Sequence, residues 1–127
     1  MADSYFKNLK QDLCAAILEF IGTFIFLTLA FGGVQAASSA GGVDTPAPNI
    51  LNVFVASLNF GFSLIISVWL FYRVSGGHFN PNVTLALFLT GCIGPVRSAL
   101  YCIAQLAGAI AAAGIVLALS PGPCSYK

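Results

Sequence analysis

Apolar positions along the chain gather into three long runs, residues 13–34, 50–72 and 98–119, and one short run, residues 83–91. The long runs hold 22, 23 and 22 residues. At roughly 1.5 Å per residue each gives about 33 Å of helix, enough for a hydrocarbon core of about 30 Å. Each therefore predicts a membrane-spanning helix, and the short run predicts a helix of half that reach. Between the first two spans, Gly41-Gly42-Val43-Asp44-Thr45-Pro46-Ala47-Pro48 crowds helix breakers into residues 35–49, which predicts a loop. Trp69 and Tyr72 near the end of the second run are placed as interfacial anchors.

Polar and small residues inside the runs mark the faces that meet protein. Glu19 lies within the first span, where an ionisable group is costly and turns to a protein interior or a water path unless it snorkels to the interface. Asn59, Ser63 and Ser67 recur at a spacing of four and form a stripe that either lines a wet path or bonds to another helix. Ser57 and Gly61, and Ala104, Gly108 and Ala112, are small residues at the same spacing, and each set predicts close approach of a neighbouring helix. Gln105 within the third span requires a partner, either a loop carbonyl or another helix.

With 58% hydrophobic and 7% charged residues and a mean hydropathy of +0.92, the chain lies far from the roughly 25% charge of a soluble domain. A formal net charge of +1 offers no field for nucleic acid. Cys14, Cys92, Cys102 and Cys124 show no metal or disulfide spacing and are expected as small buried hydrophobes, Cys124 excepted. The first run exceeds the 7 to 15 residues of a signal peptide's apolar region and contains Glu19, so a retained span is expected. No nucleophile, base and orienting acid can be assembled, and His78 has no second ligand beside it, so neither an enzyme nor a metal or cofactor site is expected.

The basic residues fix an expected topology. Lys7, Lys10, Arg73 and Arg97 flank the spans, and the loop at 35–49 has no Lys or Arg. The positive-inside rule then puts the N-terminal tail, residues 1–12, in the cytoplasm together with both ends of the 73–97 segment, and the tail at 120–127 outside. A segment whose two ends share a side must enter and return.

Ser75-Gly76-Gly77-His78-Phe79-Asn80-Pro81-Asn82-Val83-Thr84 shows how it returns. Asn80 is an N-cap and Pro81 a first helical residue with no N–H to orphan. The helix should run to about Thr90 and break at Gly91. About 15 Å of helix places its N-terminus, with the positive end of its dipole, near the membrane midplane. Cations and protons are disfavoured there, while neutral hydrogen-bonding molecules are tolerated. Residues 75–79 must descend as irregular backbone, allowed at depth only in protein or beside a water-filled cavity.

This stretch resembles the first half-helix motif of the aquaporins, the major intrinsic protein family of water and small-solute channels. Glu19-Phe20, Phe60-Gly61, Arg97, Tyr101 and Ala104-Gln105 also stand where that family has similar residues. The resemblance implies an all-α membrane fold: three transmembrane helices plus one re-entrant half-helix, the first of the family's two inverted repeats, over residues 13–119. It implies that Asn80 and Pro81 belong to the Asn-Pro motif at the pore, that Gly76, Gly77 and His78 supply a carbonyl ladder, and that Phe60 is the aromatic of the outer constriction. Phe60 is more like water-selective than glycerol-conducting members. Glu19 and Gln105 would brace the pore loops. Asn82 departs from the family's usual Ala.

The function so implied is passive water transport, incomplete in a single repeat. The alternatives are a non-conducting chain that associates with full-length aquaporins and a channel for glycerol or another small neutral solute. The expected partners are water or such a solute, membrane lipid, and further copies of this chain or full-length aquaporins. Plasma and vacuolar membranes are equally compatible.

Overall fold

The computed structural model describes residues 8–40 and 50–120, so Lys7, Cys124 and the whole Gly-Pro segment at 41–48 lie outside the described residues. The regular structure within them is helical: α1 (Leu9–Ala40), α2 (Ile50–Ser75), α3 (Pro81–Leu89) and α4 (Pro95–Leu119). α1, α2 and α4 are long and apolar enough to cross a membrane, and the nine residues of α3 span about half that distance. This is the expected all-α arrangement of three spans and a half-helix.

Element ends differ from expectation at several points. α1 begins at Leu9 and reaches Ala40, so residues 35–40 continue the helix where a loop was expected. No Gly or Pro occurs from Val34 to Ala40, and Ser39 folds its hydroxyl back onto the Gln35 carbonyl at 2.9 Å. α2 continues past Arg73 to Ser75, and α4 starts at Pro95, which fills the first helical turn. For the half-helix, Asn80 is the N-cap and Thr90 the C-cap.

α1 packs along both α2 and α4, and α3 leans on α4. Small residues set the α1–α4 seam. Gly108 is buried, and a Cβ on it would stand 2.7 Å from the Phe20 carbonyl oxygen. Ala112 is fully buried in the same ladder. Against α2, Asn59 donates from Nδ2 to the carbonyls of Leu29 and Ala30 at 3.0 and 2.8 Å, and Gly33 leaves the space its amide occupies. Of the polar stripe, Asn59 is therefore an interhelical bond, while the hydroxyl of fully buried Ser67 has no hydrogen-bond partner among the described residues. Asn59→Ala is expected to lower stability by about 1 kcal/mol, read as a fall in the thermal midpoint in detergent micelles.

Of the expectations about side chains, one finds no partner among the described residues and one fails. Among the described residues, Gly61 has nothing within 4 Å of where its Cβ would stand, and Ser57 bonds only its own helix, to Val53. The small face of α2 is open, because α1 packs on the other side, where Ser63 and Ser67 are buried. Cys14 and Cys92 are exposed, not buried: Cys14 faces away from the Ala15, Ala16 and Tyr101 cluster, and Cys92 lies in the turn after α3.

Candidate functional site

The depth of the irregular segment follows from bonds along α1 and α4. Near one end Arg97 Nε donates to Asp12 Oδ1 at 2.7 Å. One level further in, Gln105 Nε2 donates to Glu19 Oε2 at 2.9 Å. From Asp12 to Glu19 is seven residues and from Arg97 to Gln105 eight, so the two helices run in register from a common end. Glu19 is ten residues into α1 and Gln105 ten into α4, about 15 Å along each helix from that common end.

The chain after α2 reaches that level and turns back. Ser75 is tied near the outer level, its carbonyl accepting from Tyr101 Oη at 2.6 Å. His78 and Phe79 donate their backbone N–H groups to Glu19 Oε1 and Oε2, at 3.1 and 2.8 Å. α3 then leads back toward Pro95 and Arg97, so entry and exit share one end. The buried Glu19 carboxylate accepts three bonds and neither snorkels nor faces lipid. Polar backbone at membrane depth needs such partners or a water-filled cavity beside it.

Backbone geometry explains the glycines. Gly76 and Gly77 hold φ of 95° and 63°, and Ser75 Oγ accepts the Gly77 N–H at 3.1 Å. Phe79 also lies in the left-handed region, at φ 47°, which costs a non-glycine of order 1 kcal/mol. Phe79 is only 3% exposed, and its ring offsets that cost by filling the space left by Gly22 and meeting Phe71 edge-on at 6.0 Å.

Asn80 then starts α3: its Oδ1 accepts the Asn82 N–H at 2.9 Å, with Pro81 following as the first helical residue. Asn80 and Asn82 are exposed and Pro81 is half-buried. Asn80→Ala is expected to cost about 1 kcal/mol through the lost cap, visible as faster amide exchange in the first turn of α3.

Among the described residues no donor of the chain reaches the carbonyl oxygens of Gly76, Gly77 and His78. These free acceptors lead to the half-helix N-terminus, where backbone N–H groups and the Asn80 amide supply donors. Such a row can pass a small neutral molecule that both donates and accepts. Phe60 is not part of this cluster. It lies roughly 15 Å further along α1, packed edge-on against Phe26 and Phe31 at 6.1 and 6.2 Å.

The residue that sequence reasoning missed is Thr84. Fully buried, it accepts from Gln105 Nε2 at 2.9 Å and lies 3.3 Å from His78 Nδ1. Its signal was a polar residue four positions after Asn80, on a half-helix whose other residues after Asn82 are apolar.

Residues 6–126 match the family model described as major intrinsic protein. The chain belongs to the major intrinsic protein family. It is 51% identical over 126 residues to Aquaporin-1 of Laccaria bicolor, covering 98% of this chain and 40% of that relative. To Aquaporin-2 of Botryotinia fuckeliana it is 47% identical over 118 residues, 91% of this chain and 31% of the relative. A third, Aquaporin-1 of Gibberella zeae, is 44% identical over 118 residues, covering 91% and 37% respectively. The chain thus spans about two fifths or less of the length of these relatives. Family membership and three apolar helices make this major intrinsic protein a multi-pass membrane protein.

Proposed function

We propose that residues 76–82 form one half of the wall of a water-conducting pore, entered from the cytoplasm, and that the other half comes from a second, inverted repeat. The observation that carries this reading is the row of free carbonyls at 76–78 ending on the N-terminus of α3, at the level of Glu19 and Gln105. The acceptors replace part of a water molecule's hydration, and the positive helix end opposes cations and protons. Glu19 and Gln105 hold the row in place without touching the permeant. Phe60 favours water over glycerol through the aromatic bulk it brings to the outer end. Homo-oligomers and plasma or vacuolar placement are compatible with this reading.

The test is stopped-flow swelling of proteoliposomes. This chain alone is expected to swell vesicles no faster than empty ones. A fusion to the remainder of the Laccaria bicolor Aquaporin-1 should accelerate swelling, with little glycerol entry. A folded fusion that conducts no water sinks the proposal. The open small-residue face of α2, Ser57 and Gly61, favours a second reading, in which the chain binds full-length channels without conducting; failure to co-purify with such a channel from membranes removes it.

A further inference from the structure

We propose that Thr84 sets the tautomer of His78, placing the proton of the neutral imidazole on Nε2, so that an N–H donor stands beside the acceptor row at Gly76.

The assignment follows from counting protons. Gln105 Nε2 has two hydrogens and two acceptors at 2.9 Å, Glu19 Oε2 and Thr84 Oγ1. The Glu19 carboxylate accepts only, which fixes the amide with its nitrogen toward Glu19. Thr84 Oγ1 therefore accepts from Gln105, and its single proton remains to be placed. Two acceptors lie at 3.3 Å, Gln105 Oε1 and His78 Nδ1. An O–H cannot point at the oxygen of the same amide whose N–H it accepts without bending both bonds. The hydroxyl proton goes to His78 Nδ1. A ring nitrogen that accepts carries no proton, so the other one does.

The surroundings leave this bond unopposed. Glu19 is occupied by the backbone N–H of His78, not by its ring. Tyr101 meets the imidazole edge-on at a centroid distance of 5.2 Å and spends its hydroxyl on the Ser75 carbonyl. Nε2 lies beside Gly76, 3.1 Å from where a Cβ there would stand. The relay thus runs from the Glu19 carboxylate through Gln105 and Thr84 to a donor at the row of carbonyls. That the donor serves permeation rests on the proposed pore; the tautomer does not.

Thr84 is a positioning residue, and a spectroscopic test separates the two claims. His78 is the sole histidine, so ¹⁵N-histidine labelling of the chain in lipid reports one ring. At a pH where the ring is neutral, the wild type should show a single Nε2–H tautomer with Nδ1 shifted as a hydrogen-bond acceptor. Thr84→Val should lose the acceptor shift and give a tautomer mixture, and Thr84→Ser should restore the wild-type spectrum. An Nδ1–H tautomer or an averaged mixture in the wild type overturns the proposal without need of any variant. So does an unchanged spectrum in Thr84→Val. Water permeability of the fusion, measured separately, reports on the pore reading alone.

Discussion

Glu19→Gln is expected to lower stability by about 3 kcal/mol and to expose the His78 amide to exchange, although it changes neither side-chain volume nor shape. The three groups facing the carboxylate are all donors: the N–H groups of His78 and Phe79, and Gln105 Nε2. A carboxamide at position 19 can keep its oxygen where Oε2 stands and serve Phe79 and Gln105. Its NH₂ must then face the His78 N–H, donor against donor, leaving that group orphaned. A buried unsatisfied donor costs about 1 to 3 kcal/mol, and loss of the charge weakens the two remaining bonds. The strained φ of Phe79 relaxes as its anchor loosens, so the damage should concentrate at residues 77–79. Thermal unfolding in micelles measures the first effect and hydrogen exchange the second. An unchanged exchange rate at His78 would falsify the bracing role.

What the sequence could show of this site, and what it could not, divides along local and tertiary lines. Asn80-Pro81 is local information: the cap accepts a neighbouring N–H and the ring fixes the first turn, so the start of α3 was legible. The half-length of α3 and the need for a re-entrant path were likewise countable. The end of α1 was not, because Gly41 and Pro46 announce a loop without saying how far the helix before them persists. Asp12 read as part of a tail, but α1 starts at Leu9 and brings it to Arg97. Glu19 and Gln105 each announced a need for partners. Which partners they find depends on the register of α1 against α4, which no spacing within either helix encodes. The same limit hid Thr84, whose hydroxyl matters only because Gln105 and His78 arrive on either side of it. For the stripe at Asn59, Ser63 and Ser67, periodicity gave the face but not what lies opposite.

Gly108→Ala is expected to lower stability by about 2 kcal/mol, and Gly108→Val by more, whereas Gly114→Ala on the same helix should be neutral or stabilising. The Cβ added at Gly108 meets the Phe20 carbonyl oxygen at 2.7 Å, with Thr23 Cβ and the Phe24 nitrogen at 3.2 and 3.3 Å. Two of these are backbone atoms of α1, which cannot rotate away as a side chain end can. α1 and α4 must therefore separate, and overpacking of this kind costs typically about 1 to 3 kcal/mol. Separation also stretches the Asp12–Arg97 and Glu19–Gln105 bonds along the same seam, so the loss extends to the loop that Glu19 holds. Among the described residues nothing lies within 4 Å of a Cβ added at Gly114, and alanine's helix propensity offers up to about 1 kcal/mol in favour. Both glycines lie in one apolar helix, so composition and hydropathy treat them alike. Thermal midpoints of the two alanine variants in the same detergent compare them directly; equal midpoints would mean that α1 and α4 do not approach as closely as the bond from Gln105 to Glu19 requires.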